Sequence, residues 1–243
     1  MSPWRSAAVI HVVPMTAPVV LITGAYRGIG LEAARQFASR GARVIVTSRR
    51  RTRVESVITY LGSRAICLEL DVTDGESIVQ AAEAVGSRFG RLDVLVNNTA
   101  VLLDPKGTVF DLSAELLRAT LETNLIAPLR VTQAMVPLLQ RSAGPRVINV
   151  ASGAGQLAGT AGTWAPGYSI SKTALNMLTR QLSAALPGMA VNSMCPGWCR
   201  TEMGGPDAPR SPEQGADTIV WLGLDAPQST TGGFFRDRLP LDW

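Results

Sequence analysis

The residues best suited to chemistry in this sequence are a tyrosine and a lysine four positions apart, Tyr168 and Lys172. On a helix, residues at i and i+4 lie on the same face, so the two side chains can meet. A nearby ammonium favours the phenolate and lowers the pKa of a phenol from its usual value of about 10. The spacing therefore predicts an acid/base pair working near neutral pH. It also fits a partly buried tyrosine beside a solvated lysine, so other segments must decide.

Composition removes several other kinds of chemistry. The single histidine, His11, lies near the N-terminus, which excludes Ser-His-Asp and Cys-His catalysis and a histidine-based metal site from the rest of the chain. The three cysteines, Cys67, Cys195 and Cys199, have neither metal-ligand nor disulfide-framework spacing. This usage indicates a reducing compartment, so we expect a cytoplasmic protein that binds no metal.

Length and charge restrict the class of protein. A chain of 243 residues with 46% hydrophobic and 17% charged residues suits one α/β domain. The net charge of +4 comes without a basic stripe interleaved with aromatics, which argues against a nucleic-acid partner. No run approaches the roughly 20 apolar residues of a membrane span. Residues 1–17 match a signal peptide poorly and are predicted to be a disordered leader, with Met15 as the natural start, before a single domain at 18–243.

Short apolar runs alternate with longer segments of helical periodicity. Strands are predicted at 19–22, 44–46, 65–70, 94–96, 147–150, 190–194 and 234–235. Helices are predicted at 30–39, after the second strand, at 77–89, 113–140 and 168–186, and from residue 211. Continuous apolar strands separated by helices indicate an α/β fold: one doubly wound parallel sheet of Rossmann type with helices on both faces. Ligands bind such sheets beyond the carboxyl ends of the strands.

A glycine-rich turn links the first predicted strand to the first helix. Gly24, Gly28 and Gly30 have the spacing Gly-x-x-x-Gly-x-Gly. Glycines let the backbone turn sharply and approach a pyrophosphate, and the helix N-terminus offers free N–H groups. The turn therefore predicts a dinucleotide site, although a tight strand-to-helix turn without a ligand fits the same residues.

The end of the second strand indicates which dinucleotide binds. An NAD site places Asp or Glu there to accept from the ribose 2′-hydroxyl, but this chain has Ser48 and Arg49, and Arg27 lies in the glycine turn. A pair of guanidinium groups suits a 2′-phosphate, so NADP(H) is favoured. The neighbouring arginines are expected to lie on a solvated face: Arg50, Arg51 and Arg53.

From residue 19 onward the chain resembles the short-chain dehydrogenase/reductase family, and its last third resembles the carbonyl-reductase branch. The matching segments are the glycine turn, Asp71-Val72, Asn97-Asn98, Asn124, Ser152, Tyr168-x-x-x-Lys172 and Pro196-Gly197-Trp198-Cys199-Arg200-Thr201. Each segment is short, but their order and spacing together are highly specific.

The resemblance implies a role for each of four catalytic residues. Tyr168 donates a proton to a substrate carbonyl oxygen, and Ser152 hydrogen-bonds that oxygen. Lys172 lowers the pKa of Tyr168 and binds the nicotinamide ribose, while Asn124 positions a water that restores the proton. Hydroxyl donors stabilise a developing alkoxide, which agrees with these roles.

The same resemblance implies how the cofactor is held. Asp71 and Val72 hold the adenine, Asn98 lies along the ribose, and Gly197 with Thr201 frames the nicotinamide. The residues expected to bind NADP(H) are Gly24, Arg27, Gly28, Ile29, Gly30, Ser48, Arg49, Asp71, Val72, Asn98, Tyr168, Lys172, Pro196, Gly197 and Thr201.

Two departures from the family pattern bear on the site. Thr99 and Ala100 replace the usual Ala-Gly after the asparagine pair, and the added methyl of Ala100 is expected to shift the adenosine half slightly. The stretch between Ser152 and Tyr168, residues 153–167, is longer than the family's usual interval and is expected to shape one side of the substrate pocket, together with residues 202–210.

These features predict NADPH-dependent reduction of a small or apolar ketone or aldehyde. One alternative is an NADP-dependent alcohol dehydrogenase that works in the oxidative direction. Another is a non-catalytic dinucleotide sensor, which would need no proton donor. Helices 113–140 and 168–186 could form a dimer face, and a homo-oligomer is slightly favoured over a monomer.

Overall fold

The computed structural model describes residues 17–158 and 162–243, with the side chains at 51, 54–56 and 59 excepted. Almost all of the predicted leader, residues 1–16, lies outside the described residues. The strands are β1 (Val19–Ile22), β2 (Arg43–Ser48), β3 (Ala65–Glu69), β4 (Val94–Asn97), β5 (Arg146–Val150), β6 (Ala190–Met194), β7 (Phe234–Arg236) and β8 (Leu239–Pro240). The helices are α1 (Gly28–Ser39), α2 (Arg51–Leu61), α3 (Gly75–Phe89), α4 (Ala114–Leu121), α5 (Ala127–Leu139), α6 (Pro166–Ala185) and α7 (Pro212–Leu224).

The strands form one sheet in the order β3-β2-β1-β4-β5-β6-β7-β8. The chain runs outward from β1 to β3 and then returns to place β4 beside β1, so the strand order reverses between these two strands. All pairs are parallel except β7 with β8, which is antiparallel. The doubly wound α/β prediction is confirmed, and the sheet is parallel apart from β8, which the sequence pattern did not reveal.

Helices cover both faces of the sheet, as predicted. On one face α1 and α7 bury Phe37 and Ile219 against the strands, and α2 packs beside them. On the other face α3 and α5 cover Leu95 with residues that include Met135. Full burial of a side chain of this size stabilises the fold by about 1.5–3 kcal/mol. Gly223 lets α7 approach α1 closely, since a Cβ there would lie 2.6 Å from the Phe37 ring.

The long helix predicted at 113–140 is interrupted. A π-helical turn over Glu122–Ile126 separates α4 from α5. Pro128, in the first turn of α5, lacks the N–H that would bond to the carbonyl of residue 124. Such turns occur often at functional sites, and this one places the buried Asn124 next to α6.

The described residues contain neither a membrane-spanning helix nor a metal site. No helix there combines the length and apolar character needed to cross a membrane. Within the same part of the chain, no three His, Cys, Asp or Glu side chains are arranged so that they could hold a metal ion. All three cysteines are buried free thiols.

Candidate active site

A cavity of about 530 Å³ lies at the carboxyl edge of the sheet. The β1–α1 turn, the segments after β2, β3, β4 and β6, and the first turns of α6 line it. This is the edge at which a doubly wound sheet binds its ligand. The predicted cofactor contacts that line the cavity are Gly24, Arg27, Gly28, Ile29, Gly30, Ser48, Arg49, Asp71, Val72, Asn98, Tyr168, Lys172, Pro196 and Thr201. Among the predicted contacts, only Gly197 does not line it.

The glycine turn has the geometry that a pyrophosphate requires. Gly24 and Gly28 have φ angles of 65° and 57°, the left-handed region that favours glycine. A Cβ on Gly30 would lie 2.5 Å from Nδ2 of Asn98, so α1 begins in close contact with the β4 loop. No side chain caps the N-terminus of α1, which leaves its first N–H groups available to an anion. The turn therefore fits a dinucleotide.

The segment after β4 is fastened to the end of β1. Nδ2 of Asn98 donates to the Thr23 carbonyl at 2.8 Å, and the Thr23 hydroxyl accepts from the backbone N–H groups of Asn98 and Thr99 at 2.9 and 3.0 Å. A Cβ on Gly24 would lie 2.8 Å from the Thr99 hydroxyl. Thr99, which stands where the family usually has alanine, therefore packs tightly against the glycine turn. The methyl of the second replacement, Ala100, belongs to the cavity lining.

Arginines gather where the cavity passes the end of β2. The ring of Tyr26 lies between two guanidinium groups, that of Arg27 at 5.1 Å and that of Arg53 at 5.2 Å from its centroid. Arg53 also donates to the Tyr26 hydroxyl at 3.1 Å. Arg27 forms an ion pair with Glu202 from the segment after β6. Arg53 is exposed, as expected, and it also lines the cavity beside Arg49.

Tyr168 and Lys172 meet as the spacing predicts. Both lie in the first two turns of α6, and Nζ of Lys172 is 5.6 Å from the centroid of the Tyr168 ring. Tyr168 is 8% exposed and Lys172 is 2% exposed. Nζ of Lys172 donates to the carbonyl of Val150, at the end of β5, at 2.8 Å. A lysine this deeply buried needs such a partner.

Burial changes the pKa of Tyr168 in the direction opposite to the one that the sequence predicts. Desolvation raises the pKa of Tyr168 to about 12, and a hydrogen bond with Ser152 opposes this rise only in part. Burial also lowers the pKa of Lys172 to about 8. The pKa of Tyr168 is therefore raised where the sequence predicts that it is lowered, because removing a phenolate from water outweighs the hydrogen bond with Ser152. The phenol is protonated at neutral pH.

Ser152 lies beside the phenol but outside the cavity lining. Its Oγ accepts from the backbone N–H of Ala154 at 3.1 Å, and its hydrogen bond with Tyr168 favours the phenolate, so the serine hydroxyl donates toward the phenol oxygen. The loop that follows is held against α6, where Thr173 donates to the Gly155 carbonyl at 3.0 Å. A Cβ on Gly155 would lie 2.6 Å from the backbone carbon of Lys172. Glycine there allows the loop to approach the Tyr–Lys helix.

Asn124 is fully buried and also lies outside the cavity lining. Its Nδ2 donates to the Val101 carbonyl at 2.9 Å and to the Ser171 hydroxyl at 3.0 Å, and its Oδ1 accepts from the Val101 N–H at 2.8 Å. Both amide hydrogens therefore have protein partners. In this structure the side chain joins the β4 loop to α6, and its role in positioning water stays a prediction.

The segment after β6 contains two residues expected at the site. Gly197 lies outside the cavity lining, and Met203 belongs to it. Gly197, expected to frame the nicotinamide, has a φ of 75° and faces Arg210, since a Cβ there would lie 2.4 Å from its Cδ. Met203, which belongs to the predicted pocket segment 202–210, lines the cavity.

The longer stretch before α6 reaches the phenol through Trp164. Its ring packs edge-on against Tyr168, with centroids 5.9 Å apart, and 52% of the residue is exposed. Residues 159–161 of this stretch lie outside the described residues.

Sequence reasoning missed several residues of the site. Tyr26 had a visible signal, an aromatic residue between two glycines of a nucleotide-binding turn and next to an arginine. Asp104 had none, because an aspartate before a proline is typical of an ordinary turn. Its carboxylate is nevertheless buried and accepts from the backbone N–H groups of Gly167 and Tyr168.

A doubly wound sheet that carries a glycine turn and a buried Tyr–Lys pair at one edge is the architecture of a dinucleotide-dependent oxidoreductase. The sequence model of the short chain dehydrogenases matches residues 18–211, and the chain belongs to this family.

Two relatives and one solved structure match this chain over more than nine tenths of its length. The (+)-neomenthol dehydrogenase of Arabidopsis thaliana is 32% identical, over 92% of this chain and 97% of its own. A carbonyl reductase of Sus scrofa, with NADPH in its name, is 30% identical over 93% and 94%. The solved structure of NADPH-bound carbonyl reductase from chicken fatty liver superposes with a TM-score of 0.83 at 28% identity, covering 93% of this chain and 99% of that one.

Proposed function

We infer that this protein reduces a ketone or an aldehyde to an alcohol, with NADPH as the cofactor and Tyr168 as the proton donor. One observation carries the proposal: the Tyr168 phenol, a proton donor at neutral pH, lies on the cavity lining beside the buried Lys172. A protonated acid beside the reacting atoms is what carbonyl reduction needs, whereas oxidation needs a base at the same position.

The cofactor is NADP(H). Ser48 and Arg49 stand at the cavity where an NAD site would place a carboxylate, and Arg27 and Arg53 add positive charge nearby. Guanidinium groups pair with a phosphate dianion through charge-assisted hydrogen bonds. The carbonyl reductases of Sus scrofa and chicken, both named with NADPH, support the same cofactor.

The catalytic residues divide the work between a proton and an oxygen. NADPH supplies the hydride when it is bound. The Tyr168 hydroxyl donates its proton to the substrate oxygen, and the Ser152 hydroxyl, which bonds to the phenol when no substrate is bound, donates to the same oxygen. Lys172 lies on the cavity lining next to Tyr168 and offers an ammonium to a ribose hydroxyl. Asn124 holds the β4 loop and α6 together behind them.

The substrate is proposed to be a small or apolar carbonyl compound, and a cyclic ketone fits best. Trp164 packs edge-on against the phenol, Met203 lines the cavity, and both side chains are apolar and exposed. An apolar surface near one pair of hydroxyl donors orients a substrate by a single polar group. The relative named (+)-neomenthol dehydrogenase supports a cyclic compound.

The test is NADPH oxidation against a panel of cyclic ketones, aldehydes, diketones and quinones, with NADH as the comparison. The Tyr168→Phe variant is expected to lose roughly 10²-fold or more of kcat while its Kd for NADPH stays unchanged. Tyr60→Phe is the matched control, because Tyr60 is 65% exposed on α2. Full turnover by Tyr168→Phe would contradict the proposal. Turnover only of alcohols with NADP⁺ would establish the oxidative direction instead.

A cytoplasmic location and a homo-oligomer stay predictions from the sequence. Size-exclusion chromatography with light scattering tests the second, and a monomer at working concentration would contradict it.

A further inference from the structure

We propose that Asp104 is a positioning residue that fixes Tyr168 at the reacting end of the cavity. The inference rests on the proposed function, in which Tyr168 is the proton donor. Asp104 is 6% exposed in the connection between β4 and α4 and does not line the cavity. It therefore acts through the backbone of the catalytic helix and not on the substrate.

The carboxylate of Asp104 bonds to the backbone at the start of α6. Its Oδ2 accepts from the N–H of Gly167 at 2.5 Å, and its Oδ1 accepts from the N–H of Tyr168 at 3.3 Å. The second contact is to the backbone of the proton donor itself. A charged acceptor at a helix N-terminus is also favoured by the helix dipole. The two bonds set the position of the first turn of α6.

Helix α6 needs this carboxylate because it cannot cap itself. Its N-cap residue, Ala165, has no side-chain acceptor and a left-handed φ of 46°. Pro166 has no N–H, and the N–H of Ser169 bonds to the Ala165 carbonyl at 2.9 Å. Gly167 and Tyr168 are then the N–H groups of the first turn that need an outside acceptor. Asp104 supplies both bonds.

The sequence at the contact also fits this role. A Cβ on Gly167 would lie 3.0 Å from Oδ2 of Asp104, so glycine permits the close approach. The same connection bonds to Asn124 through Val101 and begins at Asn98, which is fastened to β1. Asp104 thus ties the proton donor to the segment that lines the cofactor cavity. A shift of this contact would displace the phenol relative to the bound cofactor.

The experiment compares Asp104→Ala, Asp104→Asn and a matched control, Asp111→Ala. Asp111 lies in the same connection and accepts from the Thr108 N–H at 2.7 Å, within its own turn. Asp104→Ala is expected to lower kcat by roughly a hundredfold, since small misplacement of a reacting group has effects of this size. Its Kd for NADPH, followed by cofactor fluorescence, is expected to stay unchanged. Asp104→Asn keeps one acceptor oxygen, so its kcat is expected to lie between that of Asp104→Ala and that of the native protein. Asp111→Ala is expected to keep the native kcat.

Two results would overturn the inference. One is a kcat for Asp104→Ala equal to that of Asp111→Ala. The other is a parallel loss of kcat and NADPH affinity in Asp104→Ala with no recovery in Asp104→Asn, which describes general loss of structure. If Asp104→Ala does not fold, Asp104→Asn decides alone, by a lowered or an unchanged kcat at constant NADPH Kd. Tyr168→Phe separates the two proposals, because its full activity would refute the proposed function whatever Asp104 does.

Discussion

The two ends of the cavity solve different physical problems. The nucleotide end, formed by Tyr26, Arg27, Arg49 and Arg53, is open to water, and its charges rest on aromatic and ionic contacts at the surface. The reacting end, formed by Tyr168 and Lys172 with Ser152 behind the cavity lining, is buried, and its phenol and ammonium have strongly shifted pKa values. One sheet edge therefore carries two electrostatic regimes.

Substitutions at the two ends of the cavity should therefore have effects of different size and different salt dependence. Charges exposed to water are screened and partly replaceable, so each contributes modestly to affinity. Buried ionisable groups lack water as an alternative partner, and their protonation states depend on a few fixed neighbours. We expect the nucleotide end to show graded, salt-dependent effects and the reacting end to show steep effects that salt does not change.

Lys172→Arg is the severest test of the buried end. The guanidinium must occupy a site that leaves lysine 2% exposed, and its fork cannot reproduce the single bond from Nζ to the Val150 carbonyl. We expect kcat to fall roughly 10²-fold although the charge is kept. Steady-state kinetics at saturating NADPH measure it. The chain's other lysine, the exposed Lys106, gives the matched control Lys106→Arg. Equal activity of the two variants would show that charge alone matters at the buried end.

Arg49→Ser tests the exposed end. Loss of one partly solvated charge-assisted contact to a 2′-phosphate is expected to raise the Kd for NADPH by roughly tenfold and to leave the weak NADH binding unchanged. The difference should shrink as salt is raised. Fluorescence titration of both cofactors at low and high salt measures it. Arg50→Ser is the control, because Arg50 is exposed and does not line the cavity. A salt-independent effect would place Arg49 in the buried regime.

The pH dependence separates the two buried groups. With the pKa of Lys172 near 8 and that of Tyr168 near 12, a loss of turnover above pH 8 reports the lysine. The ammonium fraction falls roughly threefold between about pH 7.5 and about pH 8.5, and kcat should follow it. A pH profile of kcat that stays flat to pH 10 would contradict this assignment.

Stability should move in the opposite direction to turnover. The unfolded lysine keeps its proton up to its ordinary pKa of 10.5, whereas the folded one loses it near 8. Between these values the unfolded state binds more protons, so the contribution of Lys172 to the free energy of unfolding rises with pH. Thermal unfolding of the native protein and of Lys172→Met across this range isolates that contribution. Above pH 10 the raised pKa of Tyr168 has the opposite sign, because the folded state then holds the extra proton.

The parts of this molecule that are written in local patterns could be predicted from the sequence. Apolar runs predicted where the strands lie along the chain. The glycine turn predicted the edge of the sheet that holds the cavity, and the Tyr168–Lys172 spacing predicted the face of α6 that lines it. The two-residue strand β8 is too short to leave a periodic signal. The partner of Asn124 in the π turn is Val101, which lies 23 residues away in sequence, so no local pattern shows this contact.

Burial and contacts between distant parts of the chain explain the remaining differences from the sequence-based expectations. The sequence places an ammonium near the phenol but does not show that both groups are removed from water, so it predicts the wrong direction for the pKa of Tyr168. Asp104 bonds to residues 63 and 64 positions away, and only the folded chain brings them together. Arg53, in α2, donates to the hydroxyl of Tyr26 in the glycine turn, a contact between residues 27 positions apart that neither segment shows by itself.

Glu202→Gln should give the smallest change in NADPH affinity, because it removes an ion pair that is exposed to water at the nucleotide end. Glu202 pairs with Arg27 across the cavity opening, but the two side chains are 73% and 52% exposed. Such pairs contribute about 0–1 kcal/mol. Removal of the carboxylate frees Arg27 for a phosphate, so we expect NADPH to bind up to about fivefold more tightly and NADH to bind as before. Titrations at two salt concentrations measure this change. A tenfold weakening of both cofactors would instead mean that the ion pair closes the cavity over its ligand, and the nucleotide end would then be as steeply dependent on single contacts as the reacting end.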